Sequence, residues 1–173
     1  MNTNRNKTKK LAVSALLLAM NTIMSMSIFS VPVPGGHMYL NDLIICTAAI
    51  LLDPVHALIV GGIGAFLGDM LFYPTPMFVS LVTHGLQALV ISLCTHRLLK
   101  DRPVPGSIIG AMLGLIITVA GYTFGRAFIY GTVEYAVLKF PFQVLQTAVG
   151  EALAIVLCWP MGLVKIFNKI FRQ

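Results

Sequence analysis

Charged side chains are scarce in this chain: six acids and twelve bases make up only 10% of its 173 residues. A soluble domain carries about a quarter, so a water-soluble globular fold is excluded. Disorder is excluded too, because 57% of the residues are hydrophobic and that much apolar surface does not stay solvated. Cysteine is sparse: Cys46, Cys94 and Cys158 each lie inside an apolar run without C-x-x-C spacing. They read as small buried hydrophobes and signal neither a disulfide nor a metal site. The four histidines, His37, His56, His84 and His96, fall at different depths, which argues against a three-histidine metal centre. H-E-x-x-H, G-x-S-x-G and Walker A patterns are all missing. The expectation is a non-enzyme with no metal and no cofactor, unable to hydrolyse ATP by itself.

What is present is long apolar runs. A spanning helix needs roughly 20 mostly apolar residues, and prolines, glycines and charges divide the chain into six candidates: about 9–29, 40–52, 54–73, 76–98, 105–130 and 141–167. The second is short for a membrane core of about 30 Å. The last carries Pro160 in its late turns. The basic start and apolar stretch of residues 5–31 imitate a signal peptide, but no small-residue cleavage site follows, so a retained first helix is expected.

Six spans place both termini on one side. Ten of the twelve bases then share that side: Arg5, Lys7, Lys9 and Lys10 before the first span, Arg97, Lys100 and Arg102 in one loop, and Lys165, Lys169 and Arg172 at the end. Cytoplasmic loops are enriched in Lys and Arg, which fixes that side as cytoplasmic. The same distribution argues against a nucleic-acid partner. Of the other two bases, Lys139 is expected in an outer loop and Arg126 inside the fifth span. The fold class is therefore an all-α integral membrane protein. Residues 1–173 form a single domain, a bundle of six transmembrane helices with both termini cytoplasmic.

The glycines of "GGIGAFLGDMLFYP" (61–74) do not keep the G-x-G-x-x-G spacing of a dinucleotide loop. At membrane depth, Gly61, Gly64/Ala65 and Gly68 recur at helical spacing, which lets neighbouring backbones approach. Gly110/Gly114, Gly121/Gly125 and Ala15/Ala19 form similar tracks.

The polar residues inside the spans cluster at the outer end. They are Asp69 and Tyr73 in the third span, Ser80, Thr83, His84 and Gln87 in the fourth, Tyr122, Arg126 and Tyr130 in the fifth, and Gln143, Gln146, Thr147 and Glu151 in the sixth. An ion pathway would carry polar residues through both leaflets, whereas a cavity open to one side would not. His37, Tyr39, Asn41 and Asp42 from the first outer loop, with Glu134 and Tyr135 from the last, could cap such a cavity. Blander readings stand beside this one. Arg126 could pair with Asp69 or Glu151, and His84 could be a packed core histidine. Gln143 and Gln146 could be interhelical glue, and Asn41 and Asp42 could merely cap the second helix.

Residues 35–90 resemble the substrate-binding S components of energy-coupling factor (ECF) vitamin transporters. The likeness is carried by the loop into Leu40-Asn41-Asp42, the Asp53-Pro54 turn, "GGIGAFLGD" and "THGLQALV". It implies six helices and an externally facing vitamin site in a multi-pass protein of a prokaryotic plasma membrane. It also implies partners: an ECF module made of a transmembrane coupling protein and two cytoplasmic ATPases. The resemblance further implies docking through an A-x-x-x-A track, matched by Ala15 and Ala19, and a loaded protein that topples to release its cargo inward. The chain looks closest to the riboflavin-like subgroup with hydroxymethylpyrimidine and pyridoxine carriers. Cobalamin, riboflavin, folate and pantothenate stay open as substrates.

The expected substrate-binding residues are His37, Tyr39, Asn41, Asp69, Tyr73, His84, Gln87, Tyr122, Arg126, Gln143 and Gln146. Two rival readings are a self-sufficient secondary transporter or channel, which predicts inverted repeats, and an intramembrane enzyme, which needs Asp69, His84 and Glu151 to converge.

Overall fold

The computed structural model describes residues 2–26 and 30–172. Helix α1 (Asn2–Met24) begins well before the expected residue 9, and residues 27–29 of that expected span lie outside the described residues. A short hairpin follows, β1 (Val31–Val33) against β2 (Gly36–Met38), paired Val31 to Met38. Gly35 and Gly36 make the reversal with φ of 79° and 128°, backbone that side-chain-bearing residues rarely adopt. Among the described residues the fold is helical apart from this ribbon. Helices α2 (Asn41–Leu51), α3 (Pro54–Phe72), α4 (Met77–Leu93), α5 (Pro103–Phe124), α6 (Val133–Cys158) and α7 (Leu163–Arg172) complete it.

Helix starts follow local chemistry. Asp53 Oδ1 accepts from the Val55 and His56 amides, and Pro54 occupies the first turn, where a missing amide hydrogen costs nothing. Thr132 caps α6 through the Tyr135 amide. Two helices widen at their ends into a single i→i+5 turn: α4 continues through Cys94–Leu98 and α5 through Gly125–Ile129, the segment that carries Arg126.

Among the described residues, four helical stretches are long and apolar enough to cross a membrane: Pro54–Phe72, Met77–Leu98, Pro103–Ile129 and Val133–Cys158. The last corrects the expected sixth span. The expected start near residue 141 falls at Pro141, which lies inside α6, and the helix stops at Cys158. The Trp159–Gly162 turn, with Gly162 at φ 80°, ends it, so Pro160 is part of a terminator and α7 is a separate helix. Lys139 is consequently not in a loop but on α6, and buried. Helix α7 alternates Lys165 and Lys169 with Phe167 and Phe171, and Lys9 Nζ holds its end by donating to the Ile170 carbonyl at 2.6 Å.

Helix α2 is the axis of the bundle. It touches α1, α3, α4 and α6, and ten of its eleven residues are buried. Both apolar clusters form around it. One joins Ile45, Cys46, Ala49 and Ile50 to Ile91, Ala111 and Ala154. The other joins Ile44, Ala48 and Leu51 to Leu17 and Val60.

The glycine track of α3 serves two neighbours, not one. A Cβ at Gly61 would stand 2.7 Å from the Ala88 Cβ, and one at Gly62 would stand 2.8 Å from the Leu81 carbonyl, so this pair seats α4. Gly64 and Gly68 face α1, where Asn21 and Ser25 fill the space. Asn21 Nδ2 donates to the Val60 and Gly61 carbonyls at 2.8 and 3.2 Å, a polar clasp across the same seam.

Candidate functional site

A cavity of about 380 Å³ opens where the hairpin meets the ends of α3, α4, α5 and α6, within the range typical of small-molecule sites. The hairpin roofs it. Lys139 Nζ donates to the His37 carbonyl at 2.7 Å, and the Tyr39 amide donates to Gln146 Oε1 at 2.9 Å. Gly35 and Gly36 let the ribbon lie against Tyr135, Leu138 and Lys139.

The structure brings ten of the eleven expected residues to the lining: His37, Tyr39, Asn41, Asp69, Tyr73, His84, Tyr122, Arg126, Gln143 and Gln146. Gln87 is not among them; it lies behind His84. All five tyrosines of the chain, Tyr39, Tyr73, Tyr122, Tyr130 and Tyr135, face this one space. Burial raises the Tyr39 phenol above its ordinary value, and the Asp69 carboxylate adds to this. Burial likewise raises the Tyr130 phenol, against the opposing pull of Arg126. Both stay neutral donors.

Arg126 is 7% exposed. Its Nη2 donates to Gln143 Oε1 at 2.7 Å, and its guanidinium lies 5.1 Å from the centre of the Tyr122 ring. Nη1 is buried without a hydrogen-bond partner. The ion pair with Asp69 or Glu151 does not form among the described residues. Asp69 instead accepts from the Ser80 hydroxyl, which also bonds the Tyr122 hydroxyl. A buried cation with an unused donor is expensive in an apolar surround unless an acceptor reaches it.

Beneath the cavity floor lies a polar network. Gln87 Nε2 donates to Asp42 Oδ1 at 3.0 Å and to Glu151 Oε1 at 2.9 Å. Gln146 Nε2 donates to Asp42 Oδ2 at 3.0 Å. His84 Nδ1 lies 2.7 Å from Gln87 Oε1. Asp42 is therefore not a helix cap, and neither is Asn41, since α2 starts after Leu40 without a side-chain bond. Gly150 permits the arrangement: a Cβ there would stand 2.6 Å from the Asp42 Cβ. Asp69 is bonded to Ser80, while His84 and Glu151 meet only through Gln87, so the three do not form a catalytic trio.

The sequence reading missed Lys139, Ser25, Phe72 and Pro76 in the lining, and placed Tyr135 only in a connecting loop. For Lys139 and Tyr135 a signal existed, because 135, 139, 143, 146 and 147 share one helical face. Ala15 and Ala19 lie elsewhere, on an exposed face of α1 beside Leu11, Leu16 and Met20.

The family model described as ECF-type riboflavin transporter, S component, matches residues 5–163. The chain is 31% identical over 153 residues to "Thiamine precursor transporter HmpT" of Lactococcus lactis subsp. cremoris, covering 86% of this chain and 85% of that protein. It is 28% identical over 122 residues to an uncharacterized protein of Pyrococcus woesei, covering 69% and 80%.

Proposed function

The chain belongs to the S components of ECF-type riboflavin transporters, and from that premise we propose that it is the substrate-binding subunit of an ATP-driven importer of a small water-soluble vitamin or vitamin precursor. The observation that carries this reading is the convergence of all five tyrosines and a buried, incompletely paired Arg126 on one cavity. Aromatic walls suit a flat heterocycle, and a few fixed polar groups orient it. A hydroxymethylpyrimidine- or pyridoxine-like ligand is favoured, and the Lactococcus lactis relative is a thiamine precursor transporter. Riboflavin, cobalamin, folate and pantothenate belong in the same test.

In this reading α1 and α2 join the four long helices to make six spans in the cell membrane, with both termini cytoplasmic. The clustering of bases at Arg5–Lys10, Arg97–Arg102 and Lys165–Arg172 supports it. The chain performs no chemistry of its own. Its partner is the ECF module, a coupling protein with two ATPases, which meets the exposed Ala15 and Ala19 face of α1.

The test is thermal unfolding of the purified chain against a panel of B vitamins and their precursors. A ligand at one hundred times its Kd adds about 2.7 kcal/mol to the native state, which reads as a clear rise in Tm. No shift across the panel, or uptake by vesicles holding this chain alone, would overturn the proposal.

A further inference from the structure

We infer that Gln87 fixes His84 in the Nδ1–H tautomer, giving the cavity a bare imidazole Nε2 that takes a hydrogen bond from an amino or hydroxyl group of the ligand. The inference rests on the reading of this cavity as the substrate site and narrows the substrate's chemistry.

Gln87 is wholly buried and does not line the cavity. One end of its amide faces two acids, Asp42 Oδ1 at 3.0 Å and Glu151 Oε1 at 2.9 Å. Carboxylates accept hydrogen bonds, so that end is the NH₂ and the other end is the carbonyl. The carbonyl oxygen, Oε1, is the atom 2.7 Å from His84 Nδ1. Two acceptors cannot sit at that distance, so Nδ1 carries the proton. In a neutral imidazole the remaining nitrogen, Nε2, is then an acceptor. Tyr122 holds the ring from the side, with centroids 5.4 Å apart at 60°. His84 itself lines the cavity.

The site is therefore polarised. Acceptors, His84 Nε2 and Asp69, come from α4 and α3. Donors, Arg126 and the Tyr130 phenol, come from the end of α5 and the turn after it. A ligand that fits offers N–H or O–H groups along one edge and lone pairs along the other. An amino-substituted heteroaromatic ring with a hydroxymethyl arm has that pattern. Gln87 is a positioning residue: it touches no ligand and sets what His84 offers.

The experiment uses the full chain in nanodiscs with ¹⁵N-labelled histidine, the His84 signals being assigned by their loss in His84→Asn. In the ligand-free wild type, Nδ1 is expected protonated and Nε2 bare. Adding 4-amino-5-hydroxymethyl-2-methylpyrimidine should move the Nε2 signal. Replacing its 4-amino group by methyl should weaken binding at least about tenfold, the loss expected when a buried acceptor is left unmatched. In Gln87→Met that discrimination should fall towards unity. Should Gln87→Met fail to fold, the wild-type spectrum and the analogue pair decide the matter alone. A proton on Nε2, or equal affinity for the two pyrimidines, overturns the inference while leaving the binding-subunit reading intact. If another vitamin on the panel binds instead, an unmoved Nε2 signal overturns it in the same way. If no compound binds, the transport reading falls, and this inference with it.

Discussion

The ammonium of Lys139 donates to the main-chain oxygen of His37 at 2.7 Å, joining positions 102 residues apart. With the Tyr39 amide on Gln146, it ties the hairpin and the residue after it to α6 across the cavity mouth. Removing the donor in Lys139→Met should free the ribbon. A charge-assisted bond is worth about 1.5–3 kcal/mol, so ligand dissociation should quicken by about tenfold or more, and Tm should fall by several degrees. Stopped-flow release measures this. An unaltered off-rate would show that the ligand does not leave past the hairpin.

Two glycines on facing helices should respond in opposite directions. At Gly61 a methyl group would stand 2.7 Å from both the Ala88 Cβ and the His84 carbonyl. At Gly85 the nearest atom would be 3.6 Å away. Gly61→Ala should destabilise by about 1–3 kcal/mol through overpacking. Gly85→Ala should be neutral or stabilising by up to about 1 kcal/mol, because alanine loses less backbone entropy in a helix. Thermal unfolding in one detergent compares them, and equal losses would refute the seam.

Asp53 caps α3 and pairs with Lys10 and His56. Burial alone would push its carboxyl up, but Lys10 and His56 more than offset this and hold it well below the usual carboxylate range. A depressed folded pKa contributes stability that is present above the unfolded value, near 4, and is lost as pH falls through the folded one. Asp53→Ala should cost about 1 kcal/mol from the cap, plus the ion-pair contribution. Asp53→Asn keeps the cap and loses only the charge. The Tm gap between wild type and Asp53→Asn should narrow progressively as pH falls below about 4. A gap that does not narrow below that pH would contradict the pairing.

Ala15 and Ala19 lie on the exposed side of α1, remote from the cavity lining. Small residues at that spacing let another helix approach closely. Ala15→Trp or Ala19→Trp should abolish uptake in cells while leaving ligand Kd within about twofold, since neither residue meets the site. Parallel loss of binding and uptake would place α1 in the pocket instead.

Much of this was written in the residues, though unevenly. The Asp53-Pro54 boundary, the glycine seams and the one-ended polar stripe were legible because each rests on a local rule. The sixth helix was not, because two prolines exchanged roles. Pro141 sits inside the helix, whereas Pro160, read as internal, belongs to the turn that ends it. Moving the start back to Val133 carried Tyr135 and Lys139 onto the helix and into the site. Asp42 was misread for a related reason. Position alone makes an acid at a helix start look like a cap, and only the fold brings Gln87 and Gln146 to meet it.

Helix α2 is about 16 Å long, with ten of eleven residues turned away from the surroundings. It also bears an acid satisfied only by side chains from α4 and α6. During synthesis it reaches the bilayer before either partner exists, too short to cross the full core on its own and unable to hide Asp42. We expect it to wait at the interface and to slot home only after α6 emerges, so that the order of translation differs from the order of assembly. Chains truncated after residue 131 should leave Cys46 open to a water-soluble maleimide, and complete chains should shield it. Protection already present in the truncated chain would mean that α2 needs no such wait.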